Sequence, residues 1–240
     1  MSETFSNIVR TNNGAAPMAA LHVEVIADLI CPFCFIGKRR LDAAMQAVQG
    51  PSEVRWYPYQ LNPDMPANGM SFEDYLARRF GNPANIQPVL DSLMAEGKAC
   101  GIQFRFDRLK HVPNTLAAHH VMHLAENEGL DQSALADDIL LAFFERGENI
   151  GKRSVLLELA DAHGLAARDV NRVIDDSQTR QIVLSRERQV RASGMTGVPG
   201  FLLNRRLLVV GAQETANIIN AFDRAMFGEG DEEVTTPALH

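Results

Sequence analysis

The sequence is poor in the residues that can fix a framework by themselves. Only three of its 240 residues are cysteine, Cys31, Cys34 and Cys100, so no disulfide scaffold carries the fold. A structural zinc site usually draws four ligands from two Cys pairs, and there is no second C-x-x-C. No apolar run is long enough to span a membrane. Residues 1–20 hold no apolar h-region, so no secretory signal is expected. Basic residues are outnumbered, 23 Lys and Arg against 30 Asp and Glu, and the net charge of −7 argues against general nucleic-acid binding. Repeats and low-complexity segments are missing too. What is there is globular: 46% hydrophobic and 22% charged residues, enough for a sizeable core. The expected address is the cytoplasm, where a Cys pair is usually catalytic.

The rest of the chain is organised around Cys31-Pro32-Phe33-Cys34. The β-branched apolar run Leu21 to Asp28 precedes it and reads as a buried strand. Residues 32–48, rich in Leu, Ala, Met, Lys and Arg, read as a helix ended by Gly50-Pro51. The pair therefore sits at the mouth of a helix, with Pro32 at a first helical position where a missing N–H costs nothing. Unpaired N–H groups and the positive dipole end favour an anion there, hence a thiolate at Cys31. Cys34, one turn on, is covered by that turn and is placed to resolve a mixed disulfide formed at Cys31. Half of a zinc site, or two chance core cysteines, are the other readings of a bare C-x-x-C.

Glu53 to Tyr59 alternates and is aromatic, a second strand with Pro58 at an edge, a bulge or its end. From residue 62 the pattern turns helical for more than a hundred residues. Helices are expected from Ser71 to Phe80, along the Ile86, Leu90, Leu93, Gly97 and Cys100 face, and from an Asn114 cap to Asn127. Others follow on the Leu135, Ile139, Ala142 and Phe143 stripe, over 154–163, over 167–175 and over 178–193. Gln103 to Phe106 reads as a short extended piece. Val198 to Asn204 and Leu207 to Val210 read as a hairpin turned at Asn204-Arg205-Arg206, and a last helix carries Ile218, Ile219, Phe222 and Met226 on one face. The outer elements spell β-α-β and β-β-α. The expected architecture is α/β: a thioredoxin plan over residues 21–61 and 195–227, with an all-helical insertion over 62–194, a flexible leader over 1–20 and an acidic tail over 228–240.

At this point the chain resembles the DsbA-like thioredoxin-fold oxidoreductases, and more closely their FrnE-type branch. The matching residues are Asp28 with Cys31-Pro32-Phe33-Cys34-Phe35-Ile36-Gly37, Pro113-Asn114-Thr115 with Ala118-His119, Glu148-Asn149-Ile150-Gly151 with Leu156-Leu157, Gly197-Val198-Pro199, and Gly211-Ala212-Gln213. The resemblance implies disulfide exchange with protein disulfides or small thiols such as glutathione, with no organic cofactor or metal. It also implies a cis Val198-Pro199 step whose Val198 backbone meets an extended substrate. A homodimer is left open. Kappa-class glutathione transferases and 2-hydroxychromene-2-carboxylate isomerases are a sister branch, usually with Ser at the first active-site position. Cys31 together with Cys34 favours exchange over transfer or isomerisation. A chaperone-like binding module is the non-enzymatic alternative.

Other residues carry weaker signals. His119 and His123 share a helix face, but no H-E-x-x-H pattern or third ligand accompanies them. Cys100 reads as a buried, inert thiol. Glu24 or Asp28 could move a proton during exchange, and spacing does not choose between them. Arg180, Arg186, Arg188 and Arg191 read as a solvated face, while Phe33, Phe35 and Met195 are candidates for an apolar docking rim beside Pro32.

Overall fold

The computed structural model describes residues 20–48 and 52–228. The leader through residue 19, the Gly50-Pro51 helix stop and the tail beyond Gly228 lie outside the described residues.

In chain order the elements are β1 (Leu21–Ala27), α1 (Pro32–Ala47), β2 (Ser52–Pro58), β3 (Met70–Ser71), α2 (Phe72–Phe80), α3 (Ile86–Ala99), β4 (His111–Val112) and α4 (Leu116–Asn127). Then come α5 (Gln132–Leu141), α6 (Arg153–Ala162), α7 (Ala167–Asp175), α8 (Ser177–Ala192), β5 (Gly200–Leu203), β6 (Leu207–Val210) and α9 (Thr215–Phe227). One sheet has the order β2-β1-β5-β6. β1 runs parallel to β2, and β5 is antiparallel to both β1 and β6. This is the thioredoxin fold, with α2 to α8 inserted between β2 and β5. Leu203 pairs with Leu207, so the hairpin loop holds three residues, and Asn204 and Arg205 have positive φ, 49° and 56°, as the centre of a type I′ turn closed by Arg206 N–H on the Leu203 carbonyl at 2.9 Å.

The insertion covers the edge that β2 would otherwise expose. The Trp56 N–H donates to Gln132 Oε1 at 2.9 Å, the Trp56 indole donates to Ser133 Oγ at 3.0 Å, and Gln132 Nε2 donates to the Met122 carbonyl at 2.9 Å. An unpaired strand edge is thereby closed by α5. Phe35 from α1 meets Phe104 and Phe144 of the insertion, each with ring centres 6.1 Å away, and extends one apolar core across both parts. Gly97 permits this, since a Cβ there would lie 2.5 Å from the Phe104 ring.

Four expectations need correction. The insertion is not all helical: Met70 and Ser71 pair antiparallel with Val112 and His111. Two residues are too few for an alternation to register. The extended piece expected over Gln103 to Phe106 stops before Phe106, where a 3₁₀ turn over Phe106–Arg108 begins, and Arg105 N–H donates to the Phe144 carbonyl at 2.9 Å. β5 begins at Gly200 rather than Val198, because the preceding Pro199 has no N–H for a ladder. The N-cap of α4 is Thr115, although Asn114 still serves the helix by accepting the Leu116 N–H at 2.9 Å.

Candidate active site

β1 delivers the chain to the mouth of α1 through Asp28, Leu29 and Ile30. Cys31 is the N-cap residue, extended at φ −92° and ψ 116°, and Pro32 occupies the first turn. The Cys31 carbonyl accepts the Cys34 and Phe35 N–H groups at 3.0 and 3.2 Å, which draws Cys34 under the turn. Burial pushes the Cys34 thiol well up from its ordinary value. The hydrogen bond to Cys31 and the negative charges of Cys31 and Asp28 push it further, against a backbone hydrogen bond at Asp28. Cys34 therefore holds its proton.

Cys31 is less open than the sequence suggests. It is 3% exposed and Cys34 1%. The Val198 carbonyl stands over Cys31 and accepts its thiol at 3.9 Å. The Val198–Pro199 peptide bond is cis. Gly37 lets α1 approach this step, for a Cβ there would meet Pro199 Cγ at 2.8 Å. The Pro199 carbonyl accepts the Gly211 N–H at 2.8 Å, and Arg40 of α1 donates to the Ala212 carbonyl at 2.5 Å. The Gly197-Val198-Pro199 and Gly211-Ala212-Gln213 segments thus converge on the Cys turn. Among the described residues the Val198 N–H has no hydrogen-bond partner.

Asp28 is the carboxylate at the site. It is fully buried; Oδ1 accepts the Leu29 N–H at 2.8 Å and Oδ2 the Leu61 N–H at 2.7 Å. His119 Nε2 lies 3.3 Å from Oδ1. Glu24 is four residues back towards the strand start, where it pairs with Arg205 at 3.0 Å. The Leu61 link is the contact that the sequence could not announce, since it joins residues 33 positions apart through a backbone N–H.

The remaining candidates disperse. His123 faces Glu126 and Asn127, whereas His120 faces the carbonyls at the end of α7, so the three histidines do not converge. Among the described residues no three His, Cys, Asp or Glu side chains cluster as metal ligands do. Cys100 is a half-buried free thiol at the end of α3. Of the expected apolar rim only Phe33 stands at the surface, 37% exposed beside half-buried Pro32. Phe35 belongs to the core and Met195 is buried against Gly200, where a Cβ would meet Met195 Cε at 1.8 Å. The arginines of α8 are not all a solvated face. Arg186 pairs with Glu126, and Arg191 lies 4.0 Å over the Tyr59 ring and bonds Glu187 at 2.7 Å. Arg180 and Arg188 are exposed.

A thioredoxin sheet with two free thiols at the start of its first helix defines a thioredoxin-fold protein of the oxidoreductase class. The chain belongs to the DSBA-like thioredoxin domain family, whose sequence profile matches residues 22–223. A probable DsbA oxidoreductase from Streptomyces coelicolor is similar at 29% identity and a TM-score of 0.79, over 91% of this chain and 94% of that one. The uncharacterised protein YwbO of Bacillus subtilis is 27% identical over 188 residues, 76% of this chain and 86% of its own. The cytosolic disulfide reductase DsbM of Pseudomonas aeruginosa, solved with glutathione, shares the fold at 22% identity and a TM-score of 0.58, over 85% of this chain and 95% of its own. Among the described residues no helix is long and apolar enough to cross a membrane.

Proposed function

We propose that this protein is a thiol-disulfide oxidoreductase of the FrnE type that exchanges disulfides with proteins or small thiols through Cys31 and Cys34, in the cytoplasm. The observation that carries this reading is the difference between the two thiols. One caps a helix beneath the Val198 carbonyl, and the other is buried below it with its proton held on. In the oxidising direction for the protein, the Cys31 thiolate attacks a substrate disulfide. A Cys31–substrate bond forms and one substrate thiolate leaves. Cys34 then gives up its proton and attacks Cys31 Sγ, forming the Cys31–Cys34 disulfide and releasing the second substrate thiolate. Two electrons pass from the cysteine pair to the substrate, and the reverse sequence transfers a disulfide outward. The free Val198 N–H and its carbonyl are suited to a short pairing with an extended substrate backbone. The cytosolic location of DsbM supports the proposed address. Retention of Cys34 supports exchange over the transferase or isomerase alternative.

Trapping tests the reading. Cys34→Ala is expected to accumulate mixed disulfides at Cys31, and Cys31→Ser to form none and lose exchange. Exchange that survives Cys31→Ser would remove the proposal.

A further inference from the structure

Resolving a mixed disulfide at Cys31 requires the Cys34 proton to leave a place that solvent barely reaches. Cys34 is 1% exposed, and burial together with the charges of Cys31 and Asp28 holds its proton on. Behind it stands Asp28, whose backbone hydrogen bonds the Cys34 sulfur and whose carboxylate is fully buried. Both carboxylate oxygens are pinned by backbone N–H groups, Oδ1 by Leu29 and Oδ2 by Leu61. The one side chain on that carboxylate among the described residues is His119, with Nε2 at 3.3 Å from Oδ1.

The imidazole continues this line outward. Among the described residues its Nδ1 has no hydrogen-bond partner, and it is not one of the unpaired polar atoms cut off from solvent. His119 borders a cavity of about 10 Å³, room for one water, lined by Tyr57 and Pro58 of β2, His123 of α4, and Val183 and Arg186 of α8. Arg186 marks its outer end, with a side chain 29% exposed and paired with Glu126. The titratable and charged groups about the ring are Asp28, His120 and His123 on its own helix, Tyr57 from β2 and Arg186 from α8; α5, α6 and α7 add none to the cavity wall. A buried carboxylate, a ring with two nitrogens and a water-sized space thus stand in sequence between the resolving thiol and the surface.

We propose that His119 is the proton exit of the active site: the proton that Cys34 gives up passes to the Asp28 carboxylate, and His119 hands a proton from Oδ1 on to water in the cavity. This rests on the exchange reaction above and adds the path of its proton. As Cys34 Sγ bonds Cys31 Sγ, the Cys34 S–H bond and the Cys31–substrate bond break. The substrate sulfur leaves with the electron pair, and one proton reaches solvent. The reduced protein supplies both electrons. The first attack, by the Cys31 thiolate, takes no proton from Cys34, so the path serves the second step alone. In the reverse direction the same path returns the proton to Cys34.

The test is a single turnover of the pre-reduced full chain with one equivalent of 5,5′-dithiobis(2-nitrobenzoate), which releases one coloured thiolate as Cys31 attacks and a second as Cys34 resolves. His119→Gln keeps a donor for Asp28 Oδ1 but cannot relay a proton. It is expected to leave the first phase unchanged and to slow the second about a hundredfold near neutral pH, the low end of what a positioned proton carrier contributes. The deficit is expected to shrink as pH rises, because hydroxide then takes the proton directly. Val183→Ile adds a methyl group to the cavity wall and leaves the ring and Asp28 in place. It is expected to slow the second phase as well, and it carries the test by the same readouts if His119→Gln does not fold. A second phase as fast as in wild type, or both phases slowed alike with a deficit that does not change with pH, overturns the exit and leaves the exchange reading intact. A wild type that releases no second thiolate overturns both.

Discussion

Cys34 and Cys31 are alike in exposure, so their reactivity divides on charge rather than on access. The Cys34 proton is held by burial and by the neighbouring charges of Cys31 and Asp28. Iodoacetamide near neutral pH is accordingly expected to modify Cys31 first, read by peptide mapping; faster labelling of Cys34 would reverse the two roles. Gly37 acts by what it lacks. A methyl group there would come 2.8 Å from Pro199 Cγ and 3.1 Å from Phe201 Cζ, and neither ring has a free direction to move in a closed core. Gly37→Ala is expected to cost about 1–3 kcal/mol, the usual range for overpacking, and to slow exchange by displacing Val198 from Cys31. Unchanged denaturation midpoint and exchange rate would show that the contact between α1 and Pro199 is slack.

The insertion helices meet around buried imidazoles on α4, and these make pH an element-scale variable. Burial lowers the His120 pKa from 6.5, opposed by the Val173 and Ile174 carbonyls and reinforced by His119 and Arg180. Burial likewise lowers His123, with Arg186 adding to the effect and Glu126 opposing it. Each ring is thus harder to protonate folded than unfolded. Their contribution is complete above pH 6.5 and is lost as pH falls below it, because the unfolded chain then binds protons that the folded one refuses. Thermal stability is expected to fall from pH 7.5 to 5.5, and His120→Leu to make that fall shallower; an identical fall in the variant would exclude His120. How much of this was legible beforehand differs by element. The strand and helix that carry the Cys pair, and the hairpin of β5 and β6, were readable because apolar alternation, Pro32 and the Asn204-Arg205 turn are local signals. The histidines were visible as a cluster, but which way each faces depends on α7, α8 and β2 packing around α4. Asp28 was one of two equal carboxylates until the fold brought Leu61 and His119 to it.

At the scale of the whole molecule the thioredoxin part and the insertion share bonds that neither can satisfy alone. Trp56 bonds Gln132 and Ser133, the Gln60 N–H donates to Glu187 Oε1 at 2.8 Å, and Phe35 completes an aromatic cluster of the insertion. Losing one part would strand buried donors of the other, at about 1–3 kcal/mol each. A single unfolding transition is therefore expected, with Trp56 fluorescence and far-ultraviolet dichroism coinciding; separated midpoints would mean that the halves unfold independently. Asp28 gives this union a further property. The carboxylate holds the Leu61 backbone and the His119 ring while its charge is felt by the Cys34 thiol. In the proposed exchange, closing the Cys31–Cys34 bond would remove that thiol, and the hold on Leu61 and His119 is then expected to differ between the two oxidation states. Reciprocity then requires that tension on the loop or on α4 shift the midpoint potential of the pair. Amide exchange at Leu61 is expected to differ between oxidised and reduced protein, and equal rates would uncouple the Asp28 clasp from the sulfurs.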